Sequence, residues 1–270
     1  MGQHFLTDAG VAEQIVDALG DISHKKVIEI GPGESALTRI LAKRAARLIA
    51  IELDRMIAAQ LRIQYGSAKN VEIIEGAAQQ VDYATLVNDA FGTLRDREAR
   101  LPSRASVAGN LPYYAASEIL LRLFDFHQHF DTAVLMVQRE VADRIAAQPG
   151  GREYGLLSAT TQLYARVEHL FTVPPEAFSP APKVHSGVVR LHFDYQGERL
   201  GVEEKPFIEF LKLTFIQKRK TLLNNLKAAY PEASIRNAMK QAGLRADIRA
   251  EAVSLQSQAA LWNALGKAGQ

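Results

Sequence analysis

The run Asn110-Leu111-Pro112-Tyr113 is where this chain concentrates side chains able to do chemistry. It follows Arg104-Ala105-Ser106-Val107-Ala108-Gly109, which reads as a short buried strand. A side-chain amide, a proline-fixed backbone and an aromatic ring therefore meet at a strand's carboxyl end, where open α/β sheets bind their ligands. The amide and the backbone carbonyls beside it can accept hydrogen bonds from an exocyclic amine, and the tyrosine can stack on the ring that carries it. Such a set suits holding a flat amino-heterocycle still while a group is transferred to its nitrogen.

A second constellation supplies a candidate donor site. Glu29-Ile30-Gly31-Pro32-Gly33-Glu34-Ser35-Ala36 sits at a strand-to-helix turn, where glycines let the backbone approach a ligand at a helix N-terminus. The letters fit the loose G-x-G-x-x-G/A pattern, which a purely structural tight turn also satisfies. Glu52 ends the next strand roughly 20 residues on, where a carboxylate can bond both hydroxyls of a ribose; capping the following helix is its bland alternative. A dinucleotide and S-adenosylmethionine both fit this half-site. Hydride transfer has no use for an amide-proline-aromatic set, whereas methyl transfer to an exocyclic nitrogen does.

The elements that must position these residues alternate. Strands are predicted at 27–30, 48–51, 71–74, 106–108 and 133–137. Helices are predicted over 36–45, from an Asp54 cap through Leu61, and over 117–124. This alternation argues for a mostly parallel, doubly wound α/β sheet. Two later strands, 168–173 and 187–193, flank a proline-rich loop at 174–182 and suit an antiparallel edge. From Pro206 the chain reads as helical. The expected domains are 1–196, carrying the sheet and the cofactor, and 197–270, a small basic helical domain. The polar stretch 92–104, with Arg95, Arg97, Arg100 and Arg104, reads as a surface loop or helix end that could touch nucleic acid.

Bulk properties narrow the classes. At 270 residues, with 47% hydrophobic and 23% charged residues, the chain has the balance of a globular protein. It contains no cysteine, which excludes disulfides, thiolate catalysis and cysteine-ligated zinc and suits a reducing cytoplasm. No apolar run reaches membrane-span length, no secretory leader is read at the start, and no metal site is expected from the seven histidines. The net charge of +2 is uneven. Residues 183–270 hold 14 Lys/Arg against 8 Asp/Glu. Such a basic segment can serve as the footprint of a nucleic-acid partner or simply as a solvated helical surface.

Taken together, Gly2-Gln3-His4-Phe5-Leu6, Glu29 to Gly33, Glu52, Asn110 to Tyr113, Val173-Pro174-Pro175-Glu176-Ala177-Phe178, Pro182-Lys183-Val184-His185-Ser186 and Gln217-Lys218-Arg219-Lys220-Thr221-Leu222 resemble the ribosomal RNA adenine dimethyltransferases of the KsgA type. The likeness runs from about residue 2 to residue 265. It implies a Rossmann-like class I methyltransferase sheet with a small helical C-terminal domain. The implied activity is transfer of methyl groups from S-adenosylmethionine to N6 of two adjacent adenosines near the 3′ end of small-subunit ribosomal RNA. The implied partner is the immature small subunit, met by a cytoplasmic monomer.

By position, the resemblance gives Gly31 and Gly33 to the methionine and ribose part of the cofactor, Glu52 to the ribose hydroxyls, and Leu53, Ala77 and Ala78 to the cofactor adenine. Gln3, His4, Phe5 and Leu6 fall to an N-terminal lid over the cofactor. Asn110, which falls to the cofactor as well, and the Leu111 carbonyl, beside Pro112, fall to the target N6, and Tyr113 and Phe178 to the two faces of the target base. Lys183, Lys218, Arg219 and Lys220 fall to RNA.

The chain also departs from the family's pattern. Ala77 stands where an aspartate usually accepts a bond from the cofactor's adenine amine, a loss of ~1–3 kcal/mol. Ser35 replaces a usual third glycine, with Glu34 beside it, and Tyr114 replaces a usual Asn, Gln or His. These departures motivate one alternative, an assembly-linked RNA binder with a weakened cofactor site. A large-subunit ribosomal RNA adenine methyltransferase, sharing the catalytic motif, and a nicotinamide oxidoreductase are the others.

Overall fold

The computed structural model describes residues 4–88 and 104–267. These fall into two compact units, Met1–Ala142 with Glu168–Phe193, and Asp143–Val167 with Asp194–Gln270.

In the first unit, near-continuous apolar runs become strands buried on both faces, as a parallel sheet covered by helices requires. They are β2 (Lys26–Ile30), β3 (Arg47–Glu52), β5 (Ala105–Asn110) and β6 (Phe130–Gln138), with β4 (Val71–Glu75) more exposed. The sheet order is β4-β3-β2-β5-β6-β9-β7, with β7 at Ala165–Val173 and β9 at Ser186–Phe193. The pairs β3–β4, β2–β3, β2–β5 and β5–β6 are parallel. The chain order runs outward in one direction from β2 through β3 to β4, and in the other from β5 to β6. The reversal falls between β2 and β5, and a crevice opens above the carboxyl ends of two such strands. Gly31 and Asn110 stand at those two ends. The later strands close this side of the sheet as expected: β9 runs antiparallel to β6, with Gln138 opposite Ser186, and β7 lies beyond it at the edge.

One glycine makes this crevice possible. Gly109 lies opposite Ile30, and a Cβ there would meet the Ile30 carbonyl oxygen at 2.7 Å. Only a residue without a side chain lets β5 approach β2 closely enough to bring Asn110 beside the glycine turn.

The helices follow their sequence signals. Asp54 caps the helix Arg55–Tyr65, accepting from the N–H groups of Met56 and Ile57, as its type and position predict. The helix Ala116–Asp125 buries Ile119, Leu120, Leu123 and Phe124 on one face. The helix expected over 36–45 is shorter, Thr38–Arg44, because the left-handed backbone of Ser35 (φ 70°) delays its start. A small second sheet pairs β1 (Phe5–Leu6) with β8 (Phe178–Ser179), tying the N-terminal strap to the proline-rich loop. Of the arginine-rich stretch, 92–103 lies outside the described residues. Arg104 is part-buried, with its guanidinium near the carbonyls of His127 and Phe193, so it braces the end of the sheet rather than facing a partner.

The second unit is helical apart from the start of β7. Helices Glu204–Thr214, Leu222–Leu226, Glu232–Gln241 and Leu255–Lys267 surround a core that includes Phe207, Phe210, Ile235, Met239 and Leu261. Trp262 packs its ring 5.3 Å from that of Phe210. The segment 143–167, with helix Leu156–Tyr164, belongs to this unit. Among the described residues no helix is long and apolar enough to cross a membrane.

Candidate active site

The glycine turn is built around one carboxylate. Gly31 (φ 69°) and Gly33 (φ 51°) turn the chain sharply after β2. Glu52, only 4% exposed at the end of β3, accepts the Gly33 N–H on Oε2 at 3.1 Å and the Asp54 N–H on Oε1 at 2.8 Å. Two backbone donors thus fix the plane of the carboxylate, and each oxygen keeps a lone pair for a further donor such as a ribose hydroxyl. Under the turn lies a second carboxyl. Glu29 is fully buried, accepts from Thr38 Oγ1 at 3.1 Å on Oε1, and has no partner for Oε2 among the described residues. Burial, reinforced by the charge of Glu52 and opposed by the Thr38 bond, pushes its carboxyl up to about 8.

The strap closes over this turn. A Cβ at Gly33 would lie 2.9 Å from the Phe5 ring, so the second glycine is the space into which Phe5 fits. The strap is held by Thr7, whose N–H donates to the Ala177 carbonyl at 2.8 Å, and by a 2.7 Å contact between His4 Nδ1 and the Pro180 carbonyl oxygen.

Opposite the turn, each member of the Asn110 to Tyr113 run is anchored. Asn110 Nδ2 donates to the His4 carbonyl at 3.2 Å, which leaves its Oδ1 as the acceptor. The Leu111 N–H donates to the Met136 carbonyl at 2.9 Å, continuing the β5–β6 ladder by one residue. The Tyr113 hydroxyl is 2.6 Å from Ser186 Oγ, and burial raises its pKa against that hydrogen bond. The His4 ring stands 5.9 Å from the Tyr113 ring, tilted by 31°.

Between these walls is a cavity of about 800 Å³, within the size range of small-molecule sites. His4, Gly31, Gly33, Glu52, Leu53, Ala77, Ala78, Asn110, Leu111, Pro112 and Tyr113 all line it, with Phe5, Gln79 and Tyr114. So the structure brings together most of the residues singled out in the sequence. Leu53 is 52% exposed and Tyr114 66% exposed. Leu6 and Phe178 are not in the lining. Both are buried in the hydrophobic cluster with Ile15, Val173 and Val188, and their backbones pair across β1 and β8. Gln3 lies outside the described residues. Lys183 is exposed in the first unit. Lys218, Arg219 and Lys220 are exposed in the second, with Lys218 Nζ donating to the Arg152 carbonyl at 3.0 Å.

The parts played by three residues escaped the reading of the sequence. Ser186 orients Tyr113 from a position 73 residues away, and no spacing rule connects them. The steric role of Gly109 could have been suspected from a glycine inside a strand pattern. Gln79 gave no signal.

The family described as ribosomal RNA adenine dimethylase matches residues 1–267 of the chain. A relative from Koribacter versatilis, named ribosomal RNA small subunit methyltransferase A, is 57% identical over 99% of this chain and 94% of its own length. A relative of the same name from Acidobacterium capsulatum is 49% identical over 98% and 90%. Among solved structures, a dimethyladenosine transferase from Plasmodium falciparum superposes with a TM-score of 0.77, at 24% identity over 98% of both chains. The 23S ribosomal RNA methyltransferase ErmE superposes at 0.72, with 23% identity over 97% and 99%. These two structural likenesses carry the fold, a class I methyltransferase sheet with a helical C-terminal region.

Proposed function

The chain belongs to the ribosomal RNA adenine dimethylase family, and on that premise we propose that it dimethylates N6 of two adjacent adenosines near the 3′ end of small-subunit ribosomal RNA, acting on the immature subunit. The observation that carries the target chemistry is the orientation of Asn110: with Nδ2 held by the His4 carbonyl, Oδ1 is the acceptor in a cavity shared with Tyr113 and Glu52.

The residues present fit S-adenosylmethionine. Glu52 offers free lone pairs to the ribose hydroxyls, and Gly33 keeps its N–H on that carboxylate. The exposed Leu53 offers an apolar face to the adenine. The turn at Gly31 leaves backbone room for the methionine portion. When bound, the cofactor supplies an electrophilic methyl group on a sulfonium.

The chain's own residues do the rest. An adenine N6 is a poor nucleophile because its lone pair is delocalised into the ring. A hydrogen bond from N6–H to Asn110 Oδ1, and another to the Leu111 carbonyl, favour a pyramidal nitrogen with its lone pair directed away from the ring. Tyr113 stacks on the base and fixes its plane, and its hydroxyl is tied to Ser186 so that the ring does not swing. Positioning of this kind is the main catalytic term. No strong general base is required, since the methylated ammonium is acidic enough to lose its proton to water. The target must leave its stack to enter the cavity, which an aromatic face compensates. Phe178, buried in its hydrophobic cluster, supplies no second face to the cavity in this structure.

The sheet unit carries this chemistry. Lys183 there, and Lys218, Arg219 and Lys220 in the helical unit, contact phosphates and set orientation rather than sequence. Incubation with methyl-labelled S-adenosylmethionine and small subunits lacking the modification should place label on adenosine N6. No transfer at saturating cofactor, with binding of that cofactor intact, overturns the proposal.

A further inference from the structure

The wall of the cavity that follows β4 has to recognise the nucleoside end of the cofactor. Glu52 ends β3, with the glycine turn and Asn110 on its β2–β5 side and the segment after β4 on its other side. The reacting methyl must lie near Asn110. A ribose held by Glu52 therefore places its base over the β4 end, where Gly76, Ala77, Ala78 and Gln79 line the same cavity.

This segment is tightly held. The Gly76 N–H donates to the Glu52 carbonyl at 2.8 Å, and the Tyr83 hydroxyl donates to the Ala78 carbonyl at 2.9 Å. The Gln80 N–H donates to the Ala77 carbonyl at 2.9 Å, closing a short 3-10 turn over Ala78–Gln80. Arg122 then clamps the Val81 carbonyl through Nε at 3.1 Å and Nη2 at 2.9 Å. Ala77 and Ala78 offer a purine edge no polar side-chain atom. Gln79 does: it is part-buried, it lines the cavity, and its amide makes no hydrogen bond among the described residues. Its neighbour Gln80 is exposed and outside the lining.

Resting on the cofactor reading above, we propose that Gln79 is the adenine-recognising side chain of this enzyme, its amide pairing with the edge of the cofactor's base. The amide oxygen accepts from the exocyclic amine while the amide nitrogen donates to the ring nitrogen N1, a bidentate pairing along the Watson–Crick edge of adenine. This differs in kind from recognition by a carboxylate. A carboxylate only accepts, so it rejects a base whose amine is replaced by a carbonyl. An amide can turn over, donate to that carbonyl and accept from the protonated N1. The pocket should therefore discriminate weakly between adenine and hypoxanthine.

Calorimetry with S-adenosylhomocysteine and S-inosylhomocysteine tests this on the intact protein without turnover. The wild type should bind the two within a few-fold of each other. Gln79→Leu, which keeps the bulk and removes the amide, should weaken both by on the order of tenfold. Gln79→Glu should retain the adenine compound and lose the hypoxanthine compound by on the order of tenfold or more. Adding Ala77→Asp to Gln79→Leu should restore affinity for the adenine compound alone, which also shows that the single variant is folded. Unchanged affinity in Gln79→Leu, or equal loss of both ligands in Gln79→Glu, overturns the assignment while leaving the cofactor reading standing. A wild type that melts cooperatively yet binds neither compound overturns the cofactor reading, and the assignment with it.

Discussion

The two walls of the cavity are built on different principles. On the β5 side the polar side chains proposed to meet the target are cross-linked to sequence-distant partners: Asn110 to His4, Tyr113 to Ser186. On the β4 side the wall is a backbone turn, locked by its carbonyls and carrying two alanines and a glutamine whose amide makes no hydrogen bond among the described residues. The first wall is preorganised down to its side-chain atoms; the second is rigid only in its backbone. A transferred group needs atomic positioning where the bond forms, because small displacements there lower rate steeply. A cofactor's base needs only to be held, and an adaptable amide on a fixed turn suffices.

Variants that break the first wall should show this most clearly. Asn110→Ala removes the acceptor for the target amine and the hold on His4. Turnover should fall by roughly 10²–10³, with S-adenosylhomocysteine affinity within a few-fold of wild type; equal losses in both would mean the walls are not separable. Glu52→Ala attacks the boundary between the walls. It removes a charged acceptor for the ribose and frees the Gly33 N–H, so cofactor affinity should fall about 10- to 150-fold by calorimetry.

Glu29→Gln sharpens the comparison from beneath the glycine turn. The Glu29 carboxyl is pushed up to about 8 in the folded state against an ordinary value of 4.5. Its contribution to stability is therefore complete below pH 4.5 and is lost as pH rises through 8. The neutral amide carries no such loss. The variant should gain Tm over wild type as pH climbs from 5 to 8, by roughly 2–4 °C per kcal/mol relieved. A pH-independent difference would show that the carboxyl is not protonated in the fold. The smallest effect belongs to Tyr113→Phe, which keeps the stacking face and removes the bond to Ser186. Stability should fall by ~0.5–1.5 kcal/mol in denaturant unfolding, and the KM for RNA should move more than cofactor affinity does.

Much of this was legible in one dimension. The strands at 27–30, 48–51 and 133–137 announce themselves because burial on both faces demands continuous apolar runs. The Asp54 cap is local chemistry written in local sequence. Asn110, Gly31 and Glu52 could be named because motifs at strand ends combine a residue type with a position on the sheet. The observed helix Thr38–Arg44 began later than expected because Ser35 adopts a backbone that serine rarely takes. Phe178 was expected at the target base, yet its ring sits in the core beneath the strap; an aromatic in a loop gives no hint of which side it packs on. In the described structure Lys183 and the run 218–220 are exposed, as lysines and arginines at a surface would be in any case.

The sequence alone determined the sheet order's ingredients, the chemical kit at residues 110–113, the carboxylate at 52 and the absence of thiol chemistry. Residue type and short-range spacing suffice for those. Only the tertiary structure decided which atom of the Asn110 amide is free, that Ser186 holds Tyr113, that Gly109 lets β5 approach β2, and that Gln79 lines the same cavity as Glu52. Those facts depend on contacts between chain segments up to 106 residues apart, and long-range packing leaves no periodicity in the sequence from which it could be read.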